Sequence, residues 1–174
     1  MRIIDLSAPI YSGMPVYPGD PEVEFTASRT IETDGWAVMR MSLGTHTGTH
    51  VDAFSHMVAD GESIDRIPLS RFVGPAVRAA VGGPLRRGVG LVFDGVFPAS
   101  AIDDTIAADP VFVAAGEIEP DAERSLLKAG IVTYTGVVNV ESLPIGVEFT
   151  FIGLPLPIRD GDGSPVRAIA ILSE

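Results

Sequence analysis

The 174-residue chain contains no cysteine. Disulfides, thiolate metal sites and cysteine nucleophiles are therefore excluded, and no redox compartment is marked. Basic charge is scarce as well. Twelve Lys and Arg stand against 23 Asp and Glu, giving a net charge of −11 and a pI near 4.6. Phosphate binding needs a basic surface to displace condensed counterions, so neither nucleic acid nor an anionic membrane is expected as a partner. The acidic balance itself is read as a solubility feature. Long apolar runs are missing too. Nowhere do about 18 apolar residues follow one another, and charge and proline interrupt MRIIDLSAPIYSGMPVYPGD before it reaches signal-peptide form. A cytoplasmic protein with a small-molecule partner is expected.

The residues present are those of an ordinary folded protein, 46% hydrophobic and 20% charged, with a length suited to one domain spanning residues 1–174. No linker, composition break or fixed-period repeat divides it. Nineteen glycines and fourteen prolines separate short runs rich in Val, Ile, Phe and Thr, a strand-and-turn texture. Strands are predicted over Arg2–Pro9, Val23–Thr30, Trp36–Leu43, Ala76–Val81, Gly88–Phe93, Ile131–Tyr134, Val147–Leu154 and Val166–Leu172. In Trp36–Leu43 the alternation of Ala37, Met39, Met41 and Leu43 with Arg40 and Ser42 predicts one buried face. The best helix is Pro120–Ala129, with proline in its first turn, Asp121 and Glu123 at its positive end and Gly130 as a stop. A weaker one spans Pro98–Ala108. The expected class is α/β, as a single β-rich domain.

All three histidines, His46, His50 and His56, fall within the stretch THTGTHVDAFSH, with Asp52 among them. Imidazole and carboxylate are the common ligands of zinc or manganese where thiolates are absent, so a metal site is the reading. Spacing constrains its geometry. On a straight strand four residues would hold His46 and His50 about 13 Å apart, too far for a shared ion. A helix would bring an i,i+4 pair together, but Thr45, Thr47, Thr49 and Val51 are β-branched and Gly48 sits among them. What remains is a strand end that bends at Gly48, with Asp52 two residues past His50 pointing to the same side. Three ligands leave room for a water, which a divalent ion turns into hydroxide near neutral pH. His56 is either a further ligand or, as favoured here, the group that moves protons during catalysis.

The segment HTGTHVDAFSH resembles the HxGTHxDxPxH signature of the cyclase family, which includes bacterial kynurenine formamidase and isatin hydrolase. DGESIDRIPLSRFVGPAV, PVYPGDPEVEF and GDGSPVRAIAIL resemble further segments of that family, so the likeness covers most of the chain. It implies that His46, His50 and Asp52 bind the metal, that His56 is proton donor and acceptor, and that Tyr17 packs against substrate. The associated architecture is a central mixed sheet or barrel-like core flanked by short helices, of the swivelling β/β/α type, assembled as a homodimer or homotetramer.

Three departures stand out. Phe54 replaces the signature's proline. Glu123 falls where formamidases have a histidine, and Thr135 where they have a glutamate, both helping to hold a second ion. One ion per subunit, zinc or manganese, is therefore expected. The resulting functional expectation is a metal-dependent hydrolase cleaving a C–N bond of a small amide or lactam through metal-bound hydroxide. A cyclase or dehydratase of secondary metabolism, or a non-catalytic binding protein on the same fold, are the alternatives. GDGSPVRAIAIL lacks the lysine of a phosphate loop and reads as a turn entering a C-terminal strand. Ser55 and Ser164, outside any G-x-S-x-G elbow, read as hydrogen-bonding loop residues.

Overall fold

The computed structural model describes residues 1–173. In chain order its strands are β1 (Arg2–Asp5), β2 (Glu24–Arg29), β3 (Val38–Ser42), β4 (His50–Asp52), β5 (Val73–Ala79), β6 (Gly90–Phe93), β7 (Val96–Phe97), β8 (Phe112–Ala114), β9 (Glu117–Ile118), β10 (Val132–Thr135), β11 (Glu148–Ile152), β12 (Gly163–Pro165) and β13 (Ile169–Leu172). Three α-helices accompany them: α1 (Ile31–Asp34), α2 (Ile102–Ala107) and α3 (Pro120–Lys128). Nine strands form one curled, half-barrel sheet in the order β1, β13, β11, β5, β6, β8, β10, β4, β12. Pairing is parallel from β5 through β6 and β8 to β10, and antiparallel on both flanks. The sheet is thus mixed, and the helices are short, as expected.

Alternation along the parallel strands explains why both faces are covered. Leu91, Phe93 and Val113 point to the face where Ala122 and Leu126 of α3 pack, while Val92, Phe112 and Ala114 point to the other. Strands covered on both faces carry continuous apolar runs, and Gly90–Phe93 is buried throughout. On the far face Phe112, Tyr134 and Phe151 form a ring cluster with centroids 4.5–5.3 Å apart. Each such side chain contributes roughly 1.5–3 kcal/mol by leaving water. Tyr134 is buried among them because its hydroxyl donates to the Gly153 carbonyl at 2.9 Å.

The α3 sequence behaves as its residues dictate. Pro120 sits in the first turn, Ala122 and Leu126 lie one turn apart on the buried side, and Gly130 adopts φ 76° just past the end. The predicted helix at Pro98–Ala108 instead starts as a 3₁₀ turn, Ala99–Ala101, before continuing as α2. A larger correction concerns Trp36–Leu43. The strand forms as β3, but it is exposed along its whole length, with Met39 62% and Met41 66% accessible. Among the described residues its only strand partner is β2, in a separate two-stranded ribbon, and its apolar side stays exposed. Among strands not predicted, β4, β8 and β12 have three residues each, shorter than a period-2 pattern needs to declare itself. Among the described residues no helix is long and apolar enough to cross a membrane.

Candidate metal centre

The histidine segment enters the sheet through a tightly held turn. Thr47 Oγ1 donates to the Gly44 carbonyl at 2.8 Å, and Gly48 takes φ 63°, a conformation that suits glycine. Behind it Gly136 must also lack a side chain, since a Cβ there would lie 2.4 Å from the Gly48 carbonyl oxygen. Thr49 Oγ1 ties the turn down, accepting from the Ala8 N–H at 2.9 Å and donating to the Gly136 carbonyl. The bend at Gly48 is present, but it leads into strand β4 rather than out of one. Within β4, Val51 joins the apolar layer, so His50 and Asp52 project together from the opposite face.

Neighbouring strands complete the surroundings. Register places Thr133 and Thr135 of β10 opposite Asp52 and His50, and Gly163 and Pro165 of β12 opposite the same two residues on the other side. Asp52 is fully buried. Its Oδ1 lies 2.8 Å from His46 Nδ1 and 3.5 Å from His50 Nε2, and its Oδ2 accepts from Thr133 Oγ1 at 3.0 Å. His50 Nδ1 is 2.8 Å from the Gly48 carbonyl, which can only accept, so that nitrogen carries the hydrogen. Nε2 is then the nitrogen turned toward the carboxylate. A cation between them would satisfy both.

Donor atoms of His46, His50 and Asp52 lie within 4.8 Å of one another, as do those of His46, His56 and Asp162, and those of Asp52, His56 and Glu123. The His46 and His56 rings are 4.0 Å apart. Glu123 comes from the first turn of α3, and its Oε1 lies 3.4 Å from Thr133 Oγ1. Burial alone would raise the pKa of Asp52, but the His50 charge and the His46 hydrogen bond hold it well below the usual carboxylate range. Glu123 responds oppositely, pushed up to about 9 by burial and by the Asp52 charge. Burial lowers His46, yet hydrogen bonds and charges from Asp52 and Asp162 outweigh it and raise the ring. His56 is lowered by burial and by the His46 charge. Two carboxylates converging on imidazole nitrogens form a donor set that suits a divalent ion.

Of the residues singled out in the sequence, His46, His50, Asp52, His56 and Glu123 are brought together. Tyr17 is not. It stands on an exposed segment, 71% accessible, with no hydrogen bond or ring contact to the cluster among the described contacts. Thr135 is adjacent to His50, and its Oγ1 is buried without a hydrogen-bond partner. Ser164 lies in β12, not a loop, donating to the Pro165 carbonyl and accepting from the Leu156 N–H. The Ser55 hydroxyl, expected to hydrogen-bond, is buried and unpartnered. One residue escaped sequence reasoning altogether. Asp162, 116 positions from His46, meets its Nε2 at 3.2 Å. The only signal was a carboxylate between two glycines in GDGSP, read there as a turn.

A curled mixed sheet with imidazoles and carboxylates clustered around strand β4 defines a class. The chain belongs to the cyclase family, whose model matches residues 4–125. Within that family it is 33% identical to the kynurenine formamidase of Salinibacter ruber over 97% of each chain, and 32% identical to that of Paracidovorax citrulli over 95% and 94%. Isatin hydrolase A from Labrenzia aggregata, solved with benzyl benzoate bound, superposes with a TM-score of 0.86 at 21% identity. That match covers 99% of this chain and 94% of the other, and it shows the shared fold.

Proposed function

We propose that the chain is a metal-dependent hydrolase cleaving the C–N bond of a small amide or lactam. The observation that carries this reading is the convergence of His46, His50 and Asp52 donor atoms within 4.8 Å, with the His56 ring 4.0 Å from that of His46. These three residues would hold one zinc or manganese ion. A divalent ion so held supplies Lewis-acid polarisation of a carbonyl and acidifies a water. His56 takes the proton of the attacking water and returns it to the departing nitrogen, leaving carboxylate and amine. Tyr17, exposed and without a contact to the cluster among the described residues, is assigned to the part of the substrate that projects beyond the metal ligands. The names of the relatives, formamidase and isatin hydrolase, are those of hydrolases. Phe54, Glu123 and Thr135 depart from the formamidase pattern, so the substrate is assigned only to that chemical class.

Purification without chelators, metal analysis, and assays across formamides, lactams and lactones test the reading. About one ion per subunit is expected in the wild type, and both the ion and turnover should be lost in His50→Ala. A metal-free wild type together with unchanged turnover in His50→Ala would overturn it. We also propose that the chain forms a homodimer or homotetramer, supported by the uncovered apolar ribbon of Trp36, Val38, Met39 and Met41.

A further inference from the structure

We propose that Asp162 is a positioning residue of the metal centre: its carboxylate holds the hydrogen of His46 on Nε2 and so keeps the Nδ1 lone pair available to the ion. The inference rests on the proposed function.

The two ligand histidines differ in what sets their tautomers. In His50 the Gly48 carbonyl, two residues away, claims the hydrogen of Nδ1 and leaves Nε2 toward the site. His46 has no backbone acceptor among the described hydrogen bonds. Both its nitrogens face carboxylates, Nδ1 at 2.8 Å from Asp52 Oδ1 and Nε2 at 3.2 Å from Asp162 Oδ2. A neutral imidazole has one N–H and one lone pair, and only the lone pair binds a cation. Nδ1 is the nitrogen that shares Asp52 with His50, so Nε2 must keep the hydrogen, and Asp162 is the group placed to accept it.

Asp162 is itself fixed. Its Oδ1 accepts from Thr45 Oγ1 at 2.8 Å, and its backbone carbonyl accepts from the Ala53 N–H at 2.9 Å. The next residue, Gly163, pairs with Asp52, and a Cβ there would lie 2.6 Å from His46 Cε1. The imidazole is therefore backed by bare main chain and held at one nitrogen by a carboxylate with its own anchor. Carboxylates in this relation to a ligating histidine orient the ring and raise its basicity, and losing one typically costs 10–100-fold in metal affinity. Direct ligation is the competing role, since Asp162 also falls in a donor group with His46 and His56.

Zinc affinity is measured by chelator competition on the full-length protein and on Asp162→Ala and Asp162→Asn, with thermal melts of the metal-free proteins as a folding control. Asp162→Ala should bind about 10–100-fold more weakly. Asp162→Asn, which keeps an acceptor for Nε2–H, should recover most of that loss, and nitrogen NMR of the zinc-loaded wild type should show the His46 hydrogen on Nε2. Wild-type affinity in Asp162→Ala, or a hydrogen on Nδ1, overturns the inference alone. An Asn variant as weak as the Ala variant overturns positioning in favour of ligation. A wild type that binds neither zinc nor manganese overturns the proposed function and this inference with it.

Discussion

Glycine does at the candidate metal centre what no other residue allows, by giving up its side chain so that functional groups approach bare backbone. Gly163 is the case that bears directly on a histidine of the site, because an added Cβ would meet both the His46 ring at 2.6 Å and the Val51 carbonyl at 2.9 Å. Neither neighbour is a flexible tip. Gly163→Ala should therefore turn His46 away from Asp52, weakening zinc binding at least about tenfold, with a stability loss of about 1–3 kcal/mol from the strain. Chelator competition and denaturant unfolding measure the two effects. Zinc binding equal to wild type would show that the ring is not held by this contact. Asp52 shows a complementary logic. It is buried where water cannot serve it, yet each oxygen has a donor or cationic neighbour in His46, His50 and Thr133. A buried carboxylate is kept ionised only by such company.

At the scale of elements, each short strand gains its place from pairing rather than from its own length. Strand β4 has three residues, but Thr133 and Thr135 on one side and Gly163 and Pro165 on the other fix its register, and with it the direction of His50 and Asp52. A slip of one residue would send both into the apolar layer. Helix α3 adds Glu123 from the turn beside its buried Ala122. The β2–β3 ribbon is the element left uncovered. Met39 and Met41, two residues apart on one face of β3 and both exposed, form an apolar strip that a second subunit is expected to cover. Light scattering after size-exclusion chromatography should show an oligomer for the wild type and a shift toward monomer for the double variant Met39→Asp, Met41→Asp. A monomeric wild type would remove this assembly.

At the scale of the whole molecule, the first and last strands close against each other, and a fork of charges joins them. Arg167 Nε and Nη2 donate to the two carboxylate oxygens of Asp5 at 2.9 and 2.6 Å. This hydrogen-bonded arginine lowers the Asp5 pKa below its ordinary 3.8. Because the folded value is depressed, the stabilisation is present above about pH 4 and is lost as pH falls through the folded value. The pair is exposed and screened, so Asp5→Asn should lower Tm by only about 1–3 °C at pH 7. The difference should shrink toward zero as the pH falls through the lowered folded value, and a difference independent of pH would assign the effect to packing instead.

How much of this was legible in the chain itself depends on distance along it. The bend at Gly48, the i,i+2 relation of His50 and Asp52, helix α3, and most long strands follow from neighbouring residues, because turn chemistry and periodicity are local. The clustered histidines declared a candidate site for the same reason. Asp162 could not be found that way, since 116 positions separate it from His46 and only the β4–β12 pairing closes the gap. The exposure of β3 was equally hidden: its alternation is that of a buried strand, and what lies against a strand is decided by the rest of the chain. Composition, local pattern and the histidine spacing thus settled the α/β class and the centre of the candidate site. Only the folded sheet decided which distant carboxylates reach that centre, because contact across the sheet is set by register and not by sequence separation.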